Sequence, residues 1–433
     1  MLNLWGTGNS RDCDGTSRRN FLQIGAAGGL TLPALLRSRA SDSRQNLSKQ
    51  DTSIVWLWLG GGATHVETFD PKMEAPEAYR STVGAVDTTI PGIQLGGFFP
   101  KMGARAKHMA FIRSFAHGNS GHSGGTHWVM TGHNYRPADQ GRPPVKPSFG
   151  SIVSRHRGAN HPTTGMPTFV RANGIYADGP AWLGTAYGPF DAGGQARKNM
   201  NMATNLERLE DRRSLLAGLD RIDRELDRSQ LMKGLDSFES QAFDLILGQS
   251  KNAFDLSKET PLVRSQYGDG LGNQLLLARR LCEAGCGFVT IHYGGWDMHG
   301  NIAKSLEKRC PPVDRAVSAF VEDCVQRGID KNILLVISGE FGRTPRVNRS
   351  AGRDHWAPLS PLALSGGGLN MGQVIGQSDS RVSVPKTSPI RPGDLMATLF
   401  HVLSIPSNQQ YQDQQGRPQY LLPNGCKPIE ELV

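Results

Sequence analysis

The chain has 433 residues, 38% of them hydrophobic and 20% charged, with a formal net charge of +9. That length suits one large α/β domain with insertions or two ordinary domains, and apolar runs recurring along it exclude a disordered chain. The basic residues form no dense block interleaved with aromatics, which argues against nucleic acid as a partner, while 52 glycines and 26 prolines point to long, shaped loops on a regular scaffold.

At the N-terminus, SRRNFLQ (17–23) precedes the modestly apolar IGAAGGLTLPALL. A paired arginine before such a run reads as a twin-arginine export signal, and the run is too short to stay in a bilayer. A small-residue cut after Ala40 fits, so residues 1–40 form the expected signal; a buried N-terminal helix is the alternative. The expectations are a periplasmic or extracellular location, the twin-arginine machinery as a partner, and no permanent membrane span. Without residues 1–40 the chain keeps 43 basic and 37 acidic residues, a net +6. A mildly basic balance suits an anionic substrate or surface. Five cysteines remain, Cys282, Cys286, Cys310, Cys324 and Cys426. An odd count outside the cytoplasm leaves at least one unpaired in a monomer, and the lack of a CxxC pair disfavours a thiolate zinc site.

The run SIVWLWLGG (53–61) predicts a first buried strand stopped by glycines. HMAFIRSF (108–115) and MPTFVRA (166–172) predict a second and a third. The segment 201–258 places Leu206, Leu209, Leu216, Leu219, Ile222 and Leu226 on one helical stripe. It reads as an inserted helical layer or lid whose charged face is solvated. A helix over 273–285 then precedes a strand at 287–293, and a helix over 312–328 precedes a strand at 332–339. PLALSGGG (361–368) ends the series. Near-continuous apolar strands alternating with helices argue for an α/β, doubly wound, mostly parallel sheet covered on both faces. Such sheets bind ligands beyond the carboxyl ends of their strands.

Four loops at those ends collect the polar residues. GGGATHVETFDPK supplies His65, Glu67 and Asp70. FAHGNSGHSGGTHWVMTGH supplies His117, His122, Ser123, Thr126, His127 and His133. GGWDMHGN supplies Asp297 and His299, and SGEFGRTPRVNRSAGRDHW supplies Glu340, Arg343, Asp354 and His355. Carboxylates with imidazoles and no thiolate form a donor set for a divalent metal ion such as zinc, manganese or calcium. Asp297 and His299 point to one side if the chain is extended there. Asp354 and His355 are adjacent, so one faces inward and the other orients it from behind. A purely structural polar network is the competing reading.

The order of these motifs resembles the alkaline phosphatase and sulfatase superfamily: NILLVISGEFG is similar to its strand with Ser-Asp-His-Gly, HWAPLSPLALSGGGL to the following His and Pro-rich strand, and RPGDLMATLFHVLSIP to its closing helix. WDMHGN resembles the metal-binding Asp and His of the phosphomutase branch. More closely, the twin-arginine start, GGGATHVETFDPK, GGWDMHGN and GEFGRTPRVN…GRDHW resemble the exported bacterial family of domain of unknown function 1501. The resemblance implies an alkaline-phosphatase-like domain over 50–433. It implies Asp297, His299 and His355 as ligands of one metal ion and Glu340 as a ligand of a second. The chain departs from the pattern at Phe341, where a histidine is usual, and at Gly60–Gly61, where an aspartate is usual; Glu67, His65 or Asp70 would then supply that oxygen. Counting back from Thr131–Gly132 places His122 and Ser123 at the nucleophile position. With no cysteine there, a formylglycine sulfatase is disfavoured. The expectation is a metal-dependent hydrolase of phosphate or sulfate esters. Glu67, Asp297, His299, Glu340, Asp354 and His355 are the metal candidates, His122 or Ser123 the nucleophile or acid/base, and Arg343 an anion clamp. The substrate is an anionic small molecule or polysaccharide ester. A non-catalytic binding or assembly protein with at most one structural metal is the alternative.

Overall fold

The computed structural model describes residues 52–194 and 249–433. The signal expected over 1–40 and most of the helical layer expected over 201–258 lie outside the described residues. The end of that layer winds into two 3-10 turns, Gln249–Phe254 and Leu256–Lys258.

In chain order the strands are β1 (Ser53–Trp58), β2 (Ala85–Asp87), β3 (Gln94–Gly96), β4 (Ala110–Ile112), β5 (Phe169–Ala172), β6 (Phe190–Asp191), β7 (Phe288–His292), β8 (Ile333–Ser338), β9 (Gly342–Arg343), β10 (His355–Trp356), β11 (Leu362–Gly366), β12 (Gln373–Ile375), β13 (Gln410–Gln412) and β14 (Pro418–Tyr420). The helices are α1 (Pro100–Ala104), α2 (His122–Thr131), α3 (Phe149–Arg157), α4 (Pro261–Tyr267), α5 (Leu271–Glu283), α6 (Ile302–Gln326) and α7 (Pro392–Leu403).

One eight-stranded sheet, ordered β12-β4-β11-β8-β1-β7-β5-β6, contains every strand expected from the apolar runs. β8, β1, β7, β5 and β6 run parallel. β11 is antiparallel to both β8 and β4, so the sheet is mixed on that side while β4 still points the same way as β8. The expected doubly wound, mostly parallel sheet is therefore the one that forms. The period of two sorts each strand between two cores. Val55 and Leu57 of β1, with Leu335 and Ile337 of β8, face the layer holding α5 and α6. Ile54, Trp56 and Trp58, with Leu334 and Val336, face the layer holding α2, α3 and α7. Both faces are covered, which is why these strands read as unbroken apolar runs.

α6 begins at Ile302, ten residues before the start expected at Pro312. Pro311 and Pro312 sit inside it on the exposed side, while Ile302, Leu306, Cys310 and Val313 continue the buried stripe. A proline forfeits one helical hydrogen bond, and on the solvated face water meets the freed carbonyls. No described helix is long and apolar enough to cross a membrane. Cys282, Cys286, Cys310, Cys324 and Cys426 are all free thiols.

A buried ion network locks the α5–α6 layer. Arg279, 1% exposed, meets Glu259 at 2.8 Å, Glu283 at 2.5 Å and Asp323 at 3.1 Å. Tyr267 donates to Asp323 at 2.9 Å, and Arg327 closes the group at 2.7 Å from the same carboxylate. Removing one partner strands opposite charge in a dry layer, which typically costs about 3–5 kcal/mol. Arg279→Met is therefore expected to lower the urea-unfolding free energy by that order, and a loss below about 1 kcal/mol would show the network to be incidental.

Asp178 is buried, with Oδ2 accepting from Thr290 at 2.8 Å and Oδ1 without a partner among the described residues. Burial pushes its carboxyl up to about 7, against the Thr290 bond and the Arg171 charge. The folded state thus holds this proton more tightly than the unfolded chain does. Its contribution is complete below about pH 4 and is lost as pH rises toward 7, by at most roughly 4 kcal/mol. Asp178→Asn is expected to flatten the pH dependence of thermal unfolding between pH 4 and 7 and to raise the midpoint at pH 8; an unchanged slope would refute the assignment.

Candidate metal centre

The carboxyl ends of β1, β4, β7 and β8 feed four loops that meet at one rim. Two close backbone approaches make this possible. Gly61 has φ +110°, and a Cβ there would lie 2.5 Å from the amide nitrogen of Asp297. A Cβ on Gly352 would lie 2.1 Å from the carbonyl carbon of His299. The glycine run where the family pattern expects an aspartate therefore lets the β1 and β7 loops touch.

Asp297 stands at the centre. Its Oδ1 accepts from Arg343 Nη2 at 2.6 Å and lies 2.9 Å from His299 Nε2 and 3.1 Å from His355 Nε2. Its Oδ2 lies 3.5 Å from His122 Nε2. The two nitrogens His299 Nε2 and His355 Nε2 are 3.1 Å apart. Donor atoms of His122, Asp297 and His355 all lie within 4.8 Å of one another.

The outer nitrogens decide what the inner ones carry. His355 Nδ1 lies 2.9 Å from the carbonyl of Ser120, His299 Nδ1 2.7 Å from Asp354 Oδ1, and His122 Nδ1 2.8 Å from Glu340 Oε1. Each partner can only accept, so each Nδ1 carries the hydrogen. In the neutral rings, three Nε2 lone pairs then face one carboxylate. Such a gathering is repulsive unless a positive charge sits in its midst.

The electrostatics keep the carboxylate ready. Burial opposes ionisation of Asp297, but the bond from Arg343 and its charge outweigh it and hold its carboxyl well below the usual range. The bond to His299 likewise holds Asp354 low. Burial lowers His355, aided by the Arg343 charge, so this ring stays neutral. The Glu340 bond raises His122, so this ring takes a proton more readily than a free imidazole does.

The structure brings together His122, Asp297, His299, Glu340, Arg343, Asp354 and His355. It gives several of them different duties from those expected. Arg343 is not placed as an anion clamp. It is fully buried, and its guanidinium donates to the carbonyls of Gly61, Gly62 and Arg353 and to Asp297. A guanidinium so enclosed fixes loops and a counter-ion and cannot reach a ligand. Glu67 is not in the cluster. It is buried against Arg353 at 2.8 Å and also bonds Thr64 and Thr82, because the buried Arg353 needs a countercharge. Asp354 stands behind His299, one shell out, and orients that ring rather than its neighbour His355.

Glu340 Oε1 accepts from the Gly61 amide at 2.8 Å as well as from His122, while Oε2 is buried with no partner among the described residues. Phe341 is fully buried between His122 and His355, with ring centroids 5.1 and 4.4 Å away. With Phe341 aromatic, Glu67 engaged and Oε1 occupied, the donors for a second cation shrink to one orphaned oxygen. The Ser123 hydroxyl, on the first turn of α2, has no hydrogen-bond partner among the described residues. His65 bonds the Val382 carbonyl and Asp70 bonds Ser378 and Arg113, both away from the rim. Sequence reasoning missed Ser120, which acts through its backbone carbonyl and so leaves no side-chain signal. It also missed Arg353, whose only signal was its place beside Asp354 and His355.

Several solved structures resemble the chain at low identity. The lipoteichoic acid synthase LtaP from Listeria monocytogenes is 8% identical with a TM-score of 0.37, over 84% of this chain and 74% of that one. The PsFucS1 sulfatase from Pseudoalteromonas sp. is 13% identical with a TM-score of 0.37, over 92% and 78%. The phosphonate monoester hydrolase SpPMH from Silicibacter pomeroyi is 11% identical with a TM-score of 0.33, over 88% and 76%. No curated protein matches the sequence. The profile of the family described as "Protein of unknown function (DUF1501)" matches residues 51–433, and with that match spanning all the described elements, the chain belongs to the DUF1501 family.

Proposed function

We propose that this protein is an exported, metal-dependent hydrolase of phosphate or sulfate esters that works with one divalent cation held by His122, Asp297, His299 and His355. The observation that carries the reading is the convergence of three imidazole lone pairs on one carboxylate, with every ring fixed from behind by an acceptor. In the neutral tautomers that the outer bonds favour, three Nε2 acceptors face a carboxylate that has Arg343 as its donor. When bound, the cation supplies positive charge for the ester oxygens.

The chain's own residues do the rest. Arg343 keeps Asp297 ionised and aimed. Asp354, Ser120 and Glu340 hold the three rings in their ligating tautomers. The amides of His122 and Ser123 open helix α2, whose N-terminus favours an anionic group. With His122 turned toward Asp297, Ser123 or a water is left to attack the ester. The SRRNFLQ segment supports export by the twin-arginine route. A second reading, a binding or assembly protein with one structural cation, is favoured by Phe341 in place of a second-site ligand.

Metal analysis of the protein purified after export is expected to give about one divalent ion per chain. Asp297→Ala and His299→Ala are expected to lose it while keeping the fold by circular dichroism, and an unchanged content in both would overturn the site. Asp354→Asn is expected to weaken metal affinity by about 10–100-fold, since it alters the tautomer control of His299 without removing a ligand. Turnover of a generic phosphate or sulfate ester with added zinc, manganese or calcium decides between the readings: a bound ion with no turnover of any ester favours the binding protein.

A further inference from the structure

His299 is the imidazole of the cluster with two carboxylates to choose between. Its Nδ1 lies 2.7 Å from Asp354 Oδ1 and its Nε2 lies 2.9 Å from Asp297 Oδ1, and the neutral ring has one N–H hydrogen to give. A hydrogen on Nε2 would occupy the lone pair that faces the cluster. Left to itself, Asp354 is a weak competitor. Its side chain is 53% exposed, so water meets its oxygens in other rotamers as well as in this one. Among the described residues the carboxylate has one hydrogen-bond partner besides His299, and that partner is Asn348.

The Asn348 amide is fully engaged. Nδ2 donates to Asp354 Oδ1 at 3.2 Å and to the main-chain carbonyl of His299 at 3.0 Å. Oδ1 accepts from the amides of Ser350 and Gly352, each at 2.9 Å. Two donors and two acceptors exhaust the group's capacity and fix which way it points. The loop around it is held just as firmly. The Asn348 N–H donates to the Gly352 carbonyl at 2.8 Å, and Ala351 is kept at φ +55°, a conformation that costs a non-glycine residue. The carbonyls of Ser350 and Ala351 accept from the Asn301 and Ile302 amides, each at 2.9 Å. Asn301 supplies no side-chain cap, so this loop meets the donors left open at the start of α6. One side chain, braced on a helix end, therefore holds both the backbone of a ligand and the carboxylate behind its ring.

We propose that Asn348 is the positioning residue of the cation centre: by locking Asp354 it keeps the His299 hydrogen on Nδ1 and leaves the Nε2 lone pair open. The reading of the cluster as a cation site underlies only the metal half of the test, because the tautomer is a property of the metal-free protein. An asparagine that merely closed a turn would affect the stability of the loop and leave the hydrogen of His299 where it is.

The test is NMR of the whole protein labelled with nitrogen-15 at histidine, metal-free and at neutral pH, followed by titration with cobalt(II). The His299 signals are assigned by their loss in His299→Ala. Wild type is expected to show the Nδ1–H tautomer. Asn348→Ala is expected to shift the ring toward Nε2–H, to weaken cobalt binding by about tenfold, and to change the visible absorption of the bound cobalt, which reports ligand geometry. Asn348→Ser keeps an oxygen for the turn amides and is too short to hold Asp354; it is expected to follow the alanine variant and guards against a loop that simply unfolds. Because Asn348 acts through Asp354, adding Asn348→Ala to Asp354→Asn is expected to weaken cobalt binding by no more than about threefold beyond Asp354→Asn alone. An Nδ1–H tautomer that persists in both Asn348 variants, cobalt affinity unchanged in both, or a full further tenfold loss in the double variant overturns the proposal. If wild type takes up no cobalt while the tautomer still moves in both Asn348 variants, the cation reading falls and the control of the His299 ring by Asn348 stands.

Discussion

The contact on which the rim depends is the one between Arg343 and Asp297. A guanidinium with no exposure has been taken out of water, and its compensation comes from three backbone carbonyls and one carboxylate. Those carbonyls belong to the glycine run after β1 and to the segment before His355. The carboxylate belongs to the loop after β7, and Arg343 itself follows β8. One side chain thus ties together loops that are far apart in sequence. The strong cost of an unpaired buried charge makes the tie specific, because an arrangement that withdraws these acceptors strands the guanidinium. Arg353 repeats the device one layer deeper, where Glu67 answers its charge and anchors the β1 loop to the segment carrying Asp354 and His355.

This frame explains why so many acceptors can be held face to face. Lone pairs gathered around Asp297 repel one another, and the folded chain must supply the energy that keeps them there. It does so through bonds formed on the far side of each ring, where Ser120, Asp354 and Glu340 accept the Nδ1 hydrogens. Site geometry is then set by the scaffold and not by the ligand, which is the condition for a preorganised binding centre. The same bonds distribute the work unevenly. Glu340 is buried and Asp354 is exposed, so water competes less for the bond to His122 than for the bond to His299.

Much of the scaffold was legible because it is made of side chains with a period. The unbroken apolar runs of β1, β7 and β8 follow from burial on both faces, and the alternation Val55–Trp56–Leu57–Trp58 assigns each residue to its core. The rim was legible in residue type, since Asp297, His299, Glu340, Asp354 and His355 stand at strand ends. Their duties were not. Whether a carboxylate is a ligand or an orienting group depends on which nitrogen it meets, and that follows from loop geometry. Glu67 and Arg343 look like functional groups in the sequence because charge is rare after an apolar strand. In the fold, each is consumed by another buried charge or by backbone carbonyls, for which no spacing rule exists. The start of α6 was missed for a simpler reason: prolines at 311 and 312 read as a helix beginning, whereas burial of Ile302 and Leu306 carries the helix through them.

Phe341 and His122 are best considered together, as a packed pair. The resemblance seen in the sequence implied a histidine beside Glu340 and a nucleophile at the start of α2. Here the first is an aromatic ring packed at 5.1 Å from the second, which is an imidazole. An aromatic face cannot coordinate, but it can hold a neighbouring ring at a fixed tilt, and the Glu340 bond fixes the remaining rotation. Under the proposed reading, the Glu340 carboxylate supports the ring that serves as a ligand of the one cation. The packed Phe341–His122 pair and the Glu340 bond then go together, and a single cation is the state that leaves the fewest of these groups unsatisfied.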